Sequence, residues 1–135
     1  MMRYQRAETP LKLDGLAAAR SFFASCLADS DPAREQLWVA HTDDHARCVH
    51  LSHHAGNEDG ADFPLKAIIA DALAHGSAGI VLAHNHPSGD ARPSDSDFRA
   101  TRRLAVAAEA IDCALLDHLV FAGDDCSSLR QLGYL

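Results

Sequence analysis

Between residues 84 and 97 the chain reads His-Asn-His-Pro-Ser-Gly-Asp-Ala-Arg-Pro-Ser-Asp-Ser-Asp. Two histidines two positions apart at the end of a strand leave the same face and converge on one ion, while Asn85 points the other way. Imidazole nitrogens bind zinc at about 2.0–2.1 Å, and a carboxylate supplies a third ligand while the fourth tetrahedral position stays open for water. Asp97 is the expected third ligand, because the intervening loop can fold back and set the start of the next helix over the strand end. An open position turns such a site from structural to catalytic. Water bound there, with its pKa lowered to about 7, is a nucleophile at neutral pH, and the ion polarises a carbonyl. The chemistry expected of His84, His86 and Asp97 with Zn2+ is therefore hydrolysis of an amide bond. Pro87 fixes a backbone angle in the loop and Gly89 permits a positive one.

The same residues have plainer uses. Ser94 stands three positions before Asp97 and just ahead of an apolar-periodic segment, the arrangement of a helix N-terminal capping box. Capping and ligation are compatible. The histidine pair alone says little in a chain with nine histidines. The full spacing, with a strand in front and a helix behind, is what points to metal.

The elements that must position these residues are legible from periodicity. Leu13 to Ala28 carries Leu16, Ala19, Phe22, Phe23 and Leu27 at helical spacing. Gln36 to His41 and Ala46 to His53 are short segments separated by Thr-Asp-Asp and a turn, and predict a strand hairpin. Pro64 to His75 repeats apolar residues at i, i+3 and i+4 up to Gly76, which stops a helix. Ala78 to Ala83 is an unbroken apolar run, as a central strand covered on both faces requires. Phe98, Leu104, Ala105, Ala108 and Ile111 then continue a helix, and Leu115 to Ala122 and Leu129 to Leu132 predict two closing strands. This order implies an α/β domain with a mixed sheet flanked by helices.

A chain of 135 residues supports one core and not two, so a single domain over residues 1–135 is expected. No stretch is apolar for long enough to span a membrane, and no signal-type segment follows the N-terminus. Cys26, Cys48, Cys113 and Cys126 form no Cys-x-x-Cys pair, and reduced thiols in a cytoplasmic protein are expected. The formal charge of −7 opposes a phosphate backbone. Arg99, Arg102 and Arg103 form a small basic cluster of the kind usually found on a solvated helix face.

The spacing His-x-His, seven residues, Ser, two residues, Asp resembles the signature of the JAMM (MPN-plus) metalloproteases. The wording is closest to the bacterial RadC-like JAB domain: Leu-Ala-His-Asn-His-Pro-Ser-Gly-Asp, then Pro-Ser and Asp, Thr-Arg-Arg-Leu at 101–104, and Leu-Leu-Asp-His-Leu-Val at 115–120. The likeness covers about residues 36–132. It implies an MPN-type fold, His84, His86 and Asp97 as zinc ligands, and Ser94 as a hydroxyl that helps stabilise an oxyanion. It also implies a peptide or protein substrate, gripped by loops at residues 53–62 and 87–95. Asp117 and His118 match a family Asp-His pair and read as structural, a buried charge with its partner.

The family also requires a glutamate as general base. In RadC-like proteins it precedes a Phe-x-Gly-Thr-like stretch, and counting back from His84 sets that stretch at residues 54–57, so the glutamate position falls on Ser52. Serine cannot act as a base. His50 and His54 share its strand face, and Glu58 in the following loop is the best carboxylate substitute. The alternative to a hydrolase is a zinc-binding, catalytically impaired interaction module. A direct DNA-binding role, which the name of the family suggests, is opposed by the acidic charge and by the lack here of the helix-hairpin-helix region that usually accompanies such domains.

Overall fold

The structure, a computed structural model, describes residues 12–56 and 63–135. Its elements run α1 (Leu16–Ala28), β1 (Gln36–Thr42), β2 (Cys48–Ala55), α2 (Leu65–His75), β3 (Gly79–Asn85), α3 (Asp95–Ala110), β4 (Ala114–Ala122) and β5 (Asp125–Ser128). The five strands form one mixed sheet in the order β2-β1-β3-β4-β5. β3 and β4 are parallel, joined through α3, and the other neighbours are antiparallel. The α/β class and the mixed sheet flanked by helices are as expected.

The unbroken apolar run of β3 is explained by two cores. Ile80 and Leu82 face Val39, Ile68, Ala72, Leu104 and Ala108, packing under α2 and α3. Val81 and Ala83 face the opposite way, onto Ala19 and Phe23 of α1 with Leu119 and Phe121 of β4. Helices thus cover both sheet faces. The ligand strand cannot slip by one residue without moving every one of these side chains to the wrong core.

Three boundaries differ from the sequence expectation, each for a local reason. Leu13 is buried but lies before α1: its N–H pairs with the Ala46 carbonyl at 2.7 Å. Gly15, at φ 107°, separates it from the helix. Leu129 to Leu132 is not a strand. The closing strand is β5, just before it, and Ala122 pairs with Asp125 around a turn in which Gly123 takes a φ of 58°. Asp-Cys-Ser-Ser has little apolar character, whereas Leu129, fully buried in the following turn, looks like strand material. Third, β1, β2 and β3 each run one or two residues further than their apolar runs, which carries β3 through His84 and Asn85. Among the described residues no helix is long and apolar enough to cross a membrane.

Candidate metal centre

Asp97 reaches the site because Ser94 starts α3. The Ser94 side chain accepts from Asp97 N at 3.1 Å and Asp97 Oδ2 accepts from Ser94 N at 2.8 Å, a complete capping box. The two oxygens divide the work. Oδ2 also lies 3.0 Å from His86 Nε2, and Oδ1 lies 3.4 Å from His84 Nε2. Ligand atoms of His84, His86 and Asp97 all lie within 4.8 Å of one another. On a tetrahedral ion with ligands at about 2.1 Å, neighbouring ligand atoms are about 3.4 Å apart, so the three side chains would need to close slightly to share one ion.

The ring nitrogens that face away from the centre decide what faces it. His86 Nδ1 donates to the Asp90 carbonyl at 2.8 Å, since a carbonyl only accepts, and in the neutral ring this leaves a lone pair on Nε2. That lone pair opposes a carboxylate oxygen, a contact that needs a proton or a cation between them. Without metal, hydrogen bonding to Asp97 draws the His86 pKa up, and burial opposes it. Burial also pushes the Asp97 carboxyl up, but its contacts with His84 and His86 outweigh that and hold it well below the usual range. His84 Nε2 is buried and has no hydrogen-bond partner. Such an orphan costs about 1–3 kcal/mol unless something occupies it. The donor set therefore fits a divalent cation with nitrogen and oxygen preference.

Behind His84 lies a relay. Its Nδ1 is 2.7 Å from His118 Nε2, and His118 Nδ1 is 2.7 Å from Thr101 Oγ1. Burial holds the His118 pKa well below the ordinary histidine value, so the ring is neutral. With His84 Nε2 left as acceptor, the one consistent assignment has His84 Nδ1–H donating to His118 and His118 Nδ1–H donating to Thr101. The Asp-His pair thus splits in two. His118 backs the candidate ligand His84, whereas Asp117 is structural: it accepts from His118 N (2.7 Å), Ser128 Oγ (2.6 Å) and Arg130 N (3.1 Å).

The substitutes for the missing glutamate fare unequally. Strand β2 is separated from β3 by β1, about 10 Å across two strand spacings. Ser52 pairs with Val39, in register with Leu82 rather than with a ligand, and its hydroxyl lies 3.2 Å from His54 Nε2. His50 is a further step away, in register with Ile80, and stacks on His75 at 3.8 Å. His54 alone is in register with His84, and it lines a cavity of about 310 Å³ together with Leu37, Phe63, His84, Asp97 and Ala100. Glu58 lies outside the described residues.

A carboxylate that the sequence does not single out, Glu35, lines the same cavity. Leu37 pairs with His84, so the antiparallel register, extended by two, sets Glu35 opposite His86. Directly opposed residues share a face, and Glu35 therefore leaves the sheet on the side of the two histidines. It lines the 310 Å³ cavity and also a second groove formed with His86, Ser94, Ser96 and Asp97. Its charge adds to the rise of the His86 pKa. The signal in the sequence was slight: a glutamate one residue before a strand is ordinary until that strand is known to pair with the ligand strand.

Comparison with known proteins agrees with this geometry. The family model described as the RadC-like JAB domain matches residues 13–134. A UPF0758 protein of Cellvibrio japonicus is 40% identical over 104 residues, covering 76% of this chain and 46% of that protein. A UPF0758 protein of Cupriavidus pinatubonensis is 38% identical over 138 aligned residues, covering 99% of this chain and 58% of its own length. The chain thus spans about half the length of the curated relatives it matches. With the match running from before α1 to beyond β5 and the His84-His86-Asp97 group in place, the chain belongs to the RadC-like JAB domain family.

Proposed function

We propose that the chain is a zinc-dependent hydrolase of peptide or isopeptide bonds, with His84, His86 and Asp97 as metal ligands and Glu35 as general base. The observation that carries this reading is the buried, unpartnered His84 Nε2, grouped with His86 and Asp97 beside a cavity that His84, Asp97 and Glu35 line. Zinc held there supplies a Lewis acid that polarises a carbonyl and acidifies water. Glu35 takes a proton from the attacking water and passes it to the leaving nitrogen, a role that contributes about 10²–10⁴-fold. Ser94 Oγ serves α3 as an acceptor from Asp97 N and lies 3.0 Å from Ser96 Oγ; with Ser96 as the donor in that pair, the Ser94 hydroxyl hydrogen is left to donate to the developing oxyanion. Leu37, Phe63 and Ala100 give the cavity an apolar wall that excludes water and receives a substrate side chain.

The test is metal analysis of the purified protein and its His84→Ala variant, with peptide and isopeptide hydrolysis assayed for wild type and Glu35→Gln. Zinc lost in His84→Ala, and a rate lowered by about 10²-fold or more in Glu35→Gln with the metal kept, are the expected results. No metal in either protein, or an unchanged rate in Glu35→Gln, overturns the assignment. Stoichiometric zinc with no hydrolysis by the wild type would leave the non-catalytic interaction module in its place.

A further inference from the structure

Asn85 lies between the two histidine ligands, and its side chain is engaged elsewhere. Its Oδ1 accepts from Gln36 N at 2.7 Å and its Nδ2 donates to the Arg34 carbonyl at 2.9 Å. The backbone pairing of β1 with β3 ends at Leu37 and His84, and the Asn85 carboxamide continues it. A carboxamide has one acceptor and one donor side by side, as a peptide unit does. It therefore grips the chain on both sides of Glu35.

A second hold comes from the end of β2. Gly56 N donates to the Glu35 carbonyl at 2.9 Å. A Cβ built on Gly56 would meet that carbonyl oxygen at 3.0 Å and Glu35 Cβ at 3.3 Å, so the absence of a side chain is what lets the two backbones approach. The backbone from residue 34 to residue 36 is thus held by the Asn85 carboxamide and by Gly56 N, around a glutamate that is itself exposed and adds nothing to either core. A fold that needed only to close a loop would have no use for holding this residue from two strands.

We infer that Asn85 is a positioning residue, whose carboxamide locks the backbone flanking Glu35 to the strand that carries His84 and His86. Base and metal ligands then move as one body. The inference rests on the reading of Glu35 as the general base. Misplacing a reacting group by about 1 Å costs on the order of 10²-fold in rate, so a carboxylate on an exposed segment requires a tether of this kind.

The experiment compares Asn85→Ala, Asn85→Asp and Gly56→Ala, alone and combined with Glu35→Gln. Three quantities are read in the whole chain: zinc content, kcat and KM, and the hydrogen exchange of the Gln36 amide by NMR. In Asn85→Ala the Gln36 amide should exchange roughly tenfold faster or more. Zinc is retained, and kcat falls by about 10- to 100-fold with KM little changed. Asn85→Asp keeps the acceptor for Gln36 N, so it should preserve Gln36 protection and recover part of kcat. Gly56→Ala, which presses on Glu35 from the other side, should lower kcat with zinc kept, and it tests the tether even if Asn85→Ala does not fold. In the Glu35→Gln background none of these changes should lower the rate further, because their effect passes through Glu35. Unchanged Gln36 exchange in Asn85→Ala, zinc lost from it, or a further rate loss in the Glu35→Gln background each overturns the proposal. If the wild type hydrolyses nothing, the hydrolase reading falls, and the tether stands or falls on Gln36 exchange alone.

Discussion

A metal ligand is only as good as the atom behind it. His84 presents Nε2 to the centre because Nδ1 is committed to His118, and His118 keeps its acceptor towards His84 because its other nitrogen is committed to Thr101. Thr101 is 2% exposed, so its hydroxyl has no water to turn to. Replacing it by valine, of the same shape, removes the last acceptor of the chain of donors and frees the His118 ring to adopt the other tautomer. Zinc affinity in Thr101→Val should fall by about 10- to 100-fold, the usual effect of losing such outer support. Competition with a chelator of known affinity measures it. An unchanged affinity would mean that the relay holds the ring in place without selecting its tautomer.

At the scale of elements, α3 delivers its ligand with the same two side chains that begin the helix. Ser94→Ala removes an acceptor from Asp97 N and should destabilise the domain by about 1 kcal/mol, with the metal ligands left intact. Asp97→Asn keeps an oxygen for the Ser94 amide but loses the charge that binds the cation. It should retain most of the stability and lose zinc. Urea unfolding with metal analysis separates the two outcomes, and zinc retained by Asp97→Asn would remove Asp97 from the ligand set. This coupling of cap and ligand was legible in the sequence, because a capping box is written within four residues. The base was not. Glu35 becomes visible only once β1 is known to lie between β2 and β3, since the pairing of Leu37 with His84 directs it towards the histidines and leaves Ser52 one strand too far away.

For the whole molecule, a buried histidine outside the candidate metal centre couples stability to pH. His41 is fully buried at the far end of β1, with Nδ1 2.8 Å from Ser77 Oγ. Burial above all, with His50, His75 and His54 adding to it and Asp71 opposing, lowers its pKa from 6.5 to about 4. The unfolded chain therefore takes up a proton near pH 6.5 while the folded one refuses it until about pH 4. Stability is complete above the unfolded value and declines as the pH falls through this window. At one and a half units below the unfolded value the loss is about 2 kcal/mol. Urea unfolding of wild type and His41→Leu at pH 7.5 and pH 5 measures it: the leucine variant should show a drop smaller by about that amount. Equal pH dependence in the two proteins would place the acid sensitivity elsewhere.

What the sequence determined by itself is what short-range chemistry can express. The His-x-His pair on one strand face, the Ser94–Asp97 cap, the apolar run of a strand buried on both sides and the amphipathic helices all follow from spacings of two to four residues. What only the tertiary structure decided depends on pairings between distant segments. The register of Leu37 on His84 brings Glu35 to the side of the two histidines, and Asn85 grips Gln36 across 49 positions of chain. His118 supports His84 across 34, and β5 forms from residues with little strand character because β4 offers it an edge. The ligands were legible because the strand and the cap that carry them are local. The proposed base and the groups that orient the site were not, because strand order is fixed by the burial of two cores at once, and no short stretch of sequence records it.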